Sequence, residues 1–133
     1  MFIVGGTDGS RPLDDLWSLD LAVATSPRWR RIPATGLPAS PSVASIGLVW
    51  DTPHERLVAF VRDGDHGALE AWALEVGASS EWRPFCVRGV RARTTGALLA
   101  ETPEGPTIVG ASSGALYRFD TSTPLCPARA PER

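Results

Sequence analysis

Phe2-Ile3-Val4-Gly5-Gly6 leads into Thr7-Asp8-Gly9-Ser10-Arg11, then Asp15-Leu16-Trp17-Ser18-Leu19-Asp20-Leu21, then Arg28-Trp29-Arg30-Arg31-Ile32. Short apolar runs bounded by Gly, Asp, Ser and Pro predict strands, since helices need longer periodic stretches. The order is therefore strand, polar turn, strand, short loop, strand. Gly5 and Gly6, at the end of the first run, predict a positive φ or a close backbone approach that a Cβ would block. Two-residue alternation places Trp17, Leu19 and Leu21 on one face of the second strand.

The same order returns twice. In the middle copy, Ser45-Ile46-Gly47-Leu48-Val49-Trp50-Asp51 is an inner strand that ends in a turn at residues 51–55. Arg56-Leu57-Val58-Ala59-Phe60-Val61 follows, then the turn-rich Asp63-Gly64-Asp65-His66-Gly67, a strand over residues 69–76, and an outer strand over 81–87. The third copy occupies residues 95–101, 106–110 and 115–120, and a fourth strand is hard to find in Leu125-Cys126-Pro127-Ala128. Leu16-Trp17-Ser18-Leu19-Asp20 aligns with Ala71-Trp72-Ala73-Leu74-Glu75 and Leu116-Tyr117-Arg118-Phe119-Asp120, with the aromatic positions 55 and 45 residues apart. Trp29 and Trp82, in the outer strands, are 53 apart.

Apolar-Gly-Gly, then Asp-Leu-Trp with an acidic residue ending the strand, then an outer-strand Trp, resembles one kelch repeat. Periods of about 50 residues fit that family better than the roughly 40–45 of the WD40 type. The first copy carries the motif most fully; Arg62-Asp63 and Gly110-Ala111 replace the double glycine in the other two. The resemblance implies an all-β fold, a kelch-type β-propeller fragment of about three antiparallel blades. The kelch region spans 1–127, with blades at approximately 1–32, 43–87 and 94–127, and 128–133 form a polar tail. Gly5, Gly6, Trp17, Trp29, Trp72, Trp82 and Tyr117 become the structural repeat positions, with the tryptophans packing between blades. Asp20, Glu75 and Asp120 become side-chain-to-backbone turn partners.

Counting strands leaves the first blade without its innermost strand and the third without its outermost. Closed propellers have about four to eight blades. Such an arc is unable to close as a monomer and leaves an apolar face bare at each end, which is an association site. The expected partners are a second copy or further blades, with the first blade's missing strand coming from another chain. Burial on both faces explains why Leu57-Val58-Ala59-Phe60-Val61 is apolar throughout.

Composition supports a soluble globular domain: 133 residues, 43% hydrophobic and 21% charged. The net charge of -2 gives no basis for a nucleic-acid or membrane partner. All 13 basic residues are Arg, and Lys is absent, which excludes Schiff-base chemistry and a P-loop. The bias looks like that of a GC-rich, bacterial coding sequence. With neither a signal-peptide pattern nor a spanning segment, cytoplasm is the default compartment. Cys86 and Cys126 fit neither a zinc site nor a dense disulfide framework; two free thiols are the preferred reading over a pair formed in an oxidising compartment.

Catalytic chemistry finds little support. His54 and His66 both fall in predicted turns. Asp63, Asp65 and His66 have metal-ligand residue types, but Asp and Gly are also what a tight hairpin selects. Ser112 and Ser113 have no neighbouring His to activate them. No catalytic residue, metal or cofactor is assigned. Among kelch proteins, copper-radical oxidases need two tyrosines, and this chain has Tyr117 alone; most of the family are binding scaffolds.

The expectation is a non-catalytic interaction module binding a protein or peptide through loops at 7–14, 63–67, 111–114, 33–42 and 88–93. Arg11, Asp63, Asp65, His66, Arg91 and Arg93 are the candidate contact residues. The alternatives are a fragment of a mutarotase-like propeller enzyme acting on carbohydrate, or a degenerate truncated propeller without independent function.

Overall fold

A computed structural model describes residues 1–22, 26–37, 44–62, 69–77, 81–86, 97–102, 105–110 and 116–127. Ten strands run in chain order: β1 Phe2–Thr7, β2 Pro12–Asp20, β3 Arg28–Ile32, β4 Ala44–Asp51, β5 Arg56–Arg62, β6 Leu69–Leu74, β7 Arg83–Pro84, β8 Ala97–Thr102, β9 Gly105–Gly110 and β10 Leu116–Arg118. One 3-10 turn, Thr52–His54, is the sole helical element among the described residues. They therefore contain no helix long and apolar enough to cross a membrane. The strands form three antiparallel sheets, ordered β1-β2-β3, β4-β5-β6-β7 and β10-β9-β8. The protein is all-β.

Register explains how the sheets stack. In the first sheet, Val4 lies opposite Leu16, and Leu16 opposite Ile32. Side chains directly opposite share a face, and these three, with Phe2, pack toward the middle sheet. Phe2 stacks on Trp50 of β4 with ring centroids 5.9 Å apart and planes nearly parallel. The middle sheet answers with alternate residues Trp50, Leu57 and Leu74, and Leu48, Ala59 and Trp72.

Its other face carries Val49, Val58, Phe60, Ala73 and Phe85. Phe119, just after β10, is wedged edge-on between Phe60 and Phe85, at 5.2 and 4.9 Å. Edge-to-face geometry adds about 0.5–1.5 kcal/mol per pair beyond the burial itself. Leu57 through Val61 are all buried, because both faces of β5 are covered.

Gly5 and Gly6 have φ of +66° and +111°, and the β1–β2 register shifts between Val4 and Gly6. A Cβ on Gly5 would sit 3.1 Å from the Leu13 carbonyl oxygen. The double glycine therefore builds a bulge whose positive φ angles would strain any residue with a side chain, with a tight backbone contact added at Gly5. Asp20 and Asp120 act as turn partners: each carboxylate accepts a bond of 2.9 Å from the amide two residues on, Ala22 and Ser122.

Three expectations are corrected. Cys86 and Cys126 are joined as a disulfide and are not free thiols. Their spacing of 40 residues hides a close approach created by the strand pairing around them. Leu125 bridges antiparallel to Phe85, and Cys126 N–H donates to the Pro84 carbonyl at 2.8 Å. The segment expected to give the third copy its fourth strand thus extends the edge of the middle sheet instead.

The third correction concerns the tryptophans of the first sheet. Trp29 is 47% exposed, Trp17 is half-buried and Leu21 is 59% exposed, whereas Trp82 is buried at 2% exposure and Trp72 packs against the cluster between the first and middle sheets. In β2 the fully buried residue is Leu16, on the opposite face from Trp17, Leu19 and Leu21. The backbone of Tyr117 pairs with Ile108 in β10–β9. The expected tail at 128–133 lies outside the described residues.

Candidate functional site

Among the described residues, two places gather the candidate side chains. The first is a buried polar cluster at the end of β4. Asp51 is fully buried and accepts a bond from Arg56 Nε at 2.9 Å, while its other oxygen accepts from Thr121 Oγ1 at 3.2 Å. Arg56 Nη2 donates to the Thr121 carbonyl, and its guanidinium lies over the Phe85 ring at 4.9 Å. His54 Nδ1 contacts both Asp51 Oδ2 at 3.0 Å and Thr121 Oγ1 at 3.3 Å.

This geometry does not make a nucleophile relay. A relay needs the carboxylate on one ring nitrogen and the hydroxyl on the other; here both meet Nδ1. The cluster instead ties the turn after the third sheet to the turn after β4, and Thr52 adds a bond to Glu101 Oε1 of β8 at 2.8 Å. A buried carboxylate with its charge matched and its oxygens bonded is tolerated where an unpaired one is not. Asp120, beside it, is held below its usual carboxylate range by the Ser122 hydroxyl at 2.6 Å, then by the Ser122 amide, with a smaller contribution from His54. Arg56 and Thr121 had no signal in the sequence, because 65 residues separate two partners that only folding brings together.

The second place is the outer face of the first sheet. Ile3 lies opposite Trp17, Trp17 opposite Arg31, and Leu19 opposite Trp29. Met1 shares the row of Leu19 through reciprocal backbone bonds of 2.8 and 3.2 Å. Ile3, Trp17 and Trp29 line a shallow groove of about 360 Å³. Met1, Ile3, Leu21 and Trp29 are 58, 46, 59 and 47% exposed. Asp15 at one end accepts the Trp17 indole N–H at 2.7 Å, fixing that ring on the face.

Of the loop residues proposed for contact, Arg11 is the one within the described residues; Asp63, Asp65, His66, Arg91 and Arg93 lie outside them. Arg11 belongs to a self-contained turn. Asp8 Oδ1 accepts the Ser10 and Arg11 amides, both at 2.9 Å, and Asp8 Oδ2 pairs with Arg11 Nε at 3.3 Å. Those amides, Ser10 first, hold the Asp8 carboxyl below its usual range, with the Arg11 side chain adding to the effect. Thr7 Oγ1 donates to the Arg11 carbonyl at 3.1 Å and accepts the Gly9 amide at 3.0 Å. The described residues include no group of three or more His, Cys, Asp or Glu able to hold a metal.

No family model, curated protein or solved structure matches the chain.

Proposed function

We propose that the chain is a non-catalytic interaction module of kelch type, part of a β-propeller of about three blades, that binds a protein or peptide. One observation carries the reading: the first sheet leaves a face of Ile3, Trp17, Leu19 and Trp29 uncovered, although its opposite face is packed. An aromatic surface held rigid on strands suits recognition, because little side-chain entropy remains to be lost on contact. The contact surface is the sheet face, with the Arg11 turn as a charged neighbour on the same hairpin.

The kelch reading is supported by strand correspondence. β1, β5 and β9 are each followed by the aligned strands β2, β6 and β10; among the described residues, β4 and β8 have no counterpart in the first sheet, nor β3 and β7 in the third.

A displayed random-peptide library panned against the immobilised chain tests the reading. Peptides are expected to enrich on the unaltered chain and to lose binding with Ile3→Asp. Panning that yields no peptide sensitive to Ile3→Asp overturns it.

A further inference from the structure

Resting on that reading of the first sheet as a contact surface, we infer that the face pairs with the same face of a second copy, across a two-fold axis running perpendicular to its strands. The face consists of two adjacent rows. One is Ile3, Trp17, Arg31; the other is Met1, Leu19, Trp29. An axis lying between the rows exchanges them, so each row of one copy covers the other row of its partner. Trp17 then lies on Leu19, Ile3 on Met1, and the Arg31 guanidinium on the Trp29 ring.

Each meeting is favourable by type. Aliphatic side chains fill the space beside Trp17, and an Arg over a Trp face is the strongest common cation–π pair. Arg31 is exposed within its own sheet, so its head is free to cross to the partner. At the rim, Asp15 reaches the level of the other copy's Leu21 and stays in contact with water. The face is self-complementary, which is the condition a two-fold interface imposes. Sheets packed this way lie nearly aligned, about 10 Å apart.

Area sets the strength. Three strands about 4.8 Å apart and up to nine residues long at about 3.3 Å each span roughly 400 Å² per copy. Two such faces together bury less than a standard specific interface and fall among weak, transient pairs, so the dimer is a weak one. A dimer of this strength leaves the face open at high dilution, as peptide capture requires.

Sedimentation velocity over a micromolar concentration series is the test, with thermal melts of each variant to verify folding. The intact chain is expected to move from monomer to dimer. Trp29→Arg, which sets two cations against each other, is expected to abolish the dimer, and the double variant W29R/R31E to restore it. Ile3→Asp, at another exposed position, is expected to abolish it as well. A chain monomeric throughout, a dimer indifferent to Trp29→Arg, or one lost in W29R and not regained in W29R/R31E overturns the inference. Peptide capture with a monomeric chain would leave the interaction reading standing and remove only the self-pairing; a rescued dimer with empty panning would do the reverse.

Discussion

The middle and first sheets are built from similar residues and end in opposite situations. β5 buries Leu57 to Val61 on both faces, whereas β2 buries Leu16 and leaves Trp17 and Leu19 half in water. The outer edge of the middle sheet is covered too. Residues 33–37 run beside it, with Trp82 N–H donating to the Thr35 carbonyl at 2.8 Å and Ala34 and Leu37 packed on the core. Gly36, at φ +87°, brings its backbone so near that a Cβ would stand 3.1 Å from the Trp82 carbonyl oxygen. From the other direction, residues 124–126 bond to Pro84 and Cys86 and are locked by the disulfide. The difference teaches that hydrophobicity places a residue in a strand, but a neighbouring sheet decides whether it becomes core or contact surface.

The sharpest way to break this contrast is a pair of truncations. Phe60→Ala removes a ring that is 0% exposed and touches Phe119, and is expected to cost about 3–5 kcal/mol. Trp29→Ala, on the bare face, is expected to cost under about 0.5 kcal/mol in the monomer. Urea unfolding at low protein concentration measures both. Equal losses would show that the first sheet's outer face is as well packed as the middle sheet.

A smaller effect tests the covered edge. Cys126→Ser opens a loop closed by a bridge of sequence separation 40, and is expected to cost about 3 kcal/mol. Hydrogen exchange should rise at the Cys86 amide, which bonds to Pro124, and at the Cys126 amide, which bonds to Pro84, before it rises in β2. Unchanged protection there would mean the strand pairing holds the edge without the bridge.

The smallest effect concerns the first sheet's hairpin. Asp8 has a folded pKa below its unfolded value of 3.8, so its contribution is complete above 3.8 and is lost as pH falls through the depressed folded value. Amide shifts of Ser10 and Arg11 are expected to move in that acid window and be flat above it. With Asp8→Asn the acid transition at those amides should vanish. A transition that persists in the variant would assign the titration to another carboxyl.

Strand identity was legible in the sequence because it depends on local facts: short apolar runs, turn residues between them and the positive φ demanded at Gly5 and Gly6. The alignment of Trp17, Trp72 and Tyr117 likewise placed β2, β6 and β10 correctly in order. Non-local matters were not legible. Alternation separates the two faces of β2 but treats them as equals, and only the stacking of Phe2 on Trp50 shows that Leu16 is inside and Trp17 outside. The Asp51–Arg56–Thr121 cluster and the Cys86–Cys126 bridge join positions 70 and 40 residues apart. Periodicity is written along the chain, whereas partners across sheets are fixed by which surfaces exclude water together, and that choice exists only once the sheets have stacked.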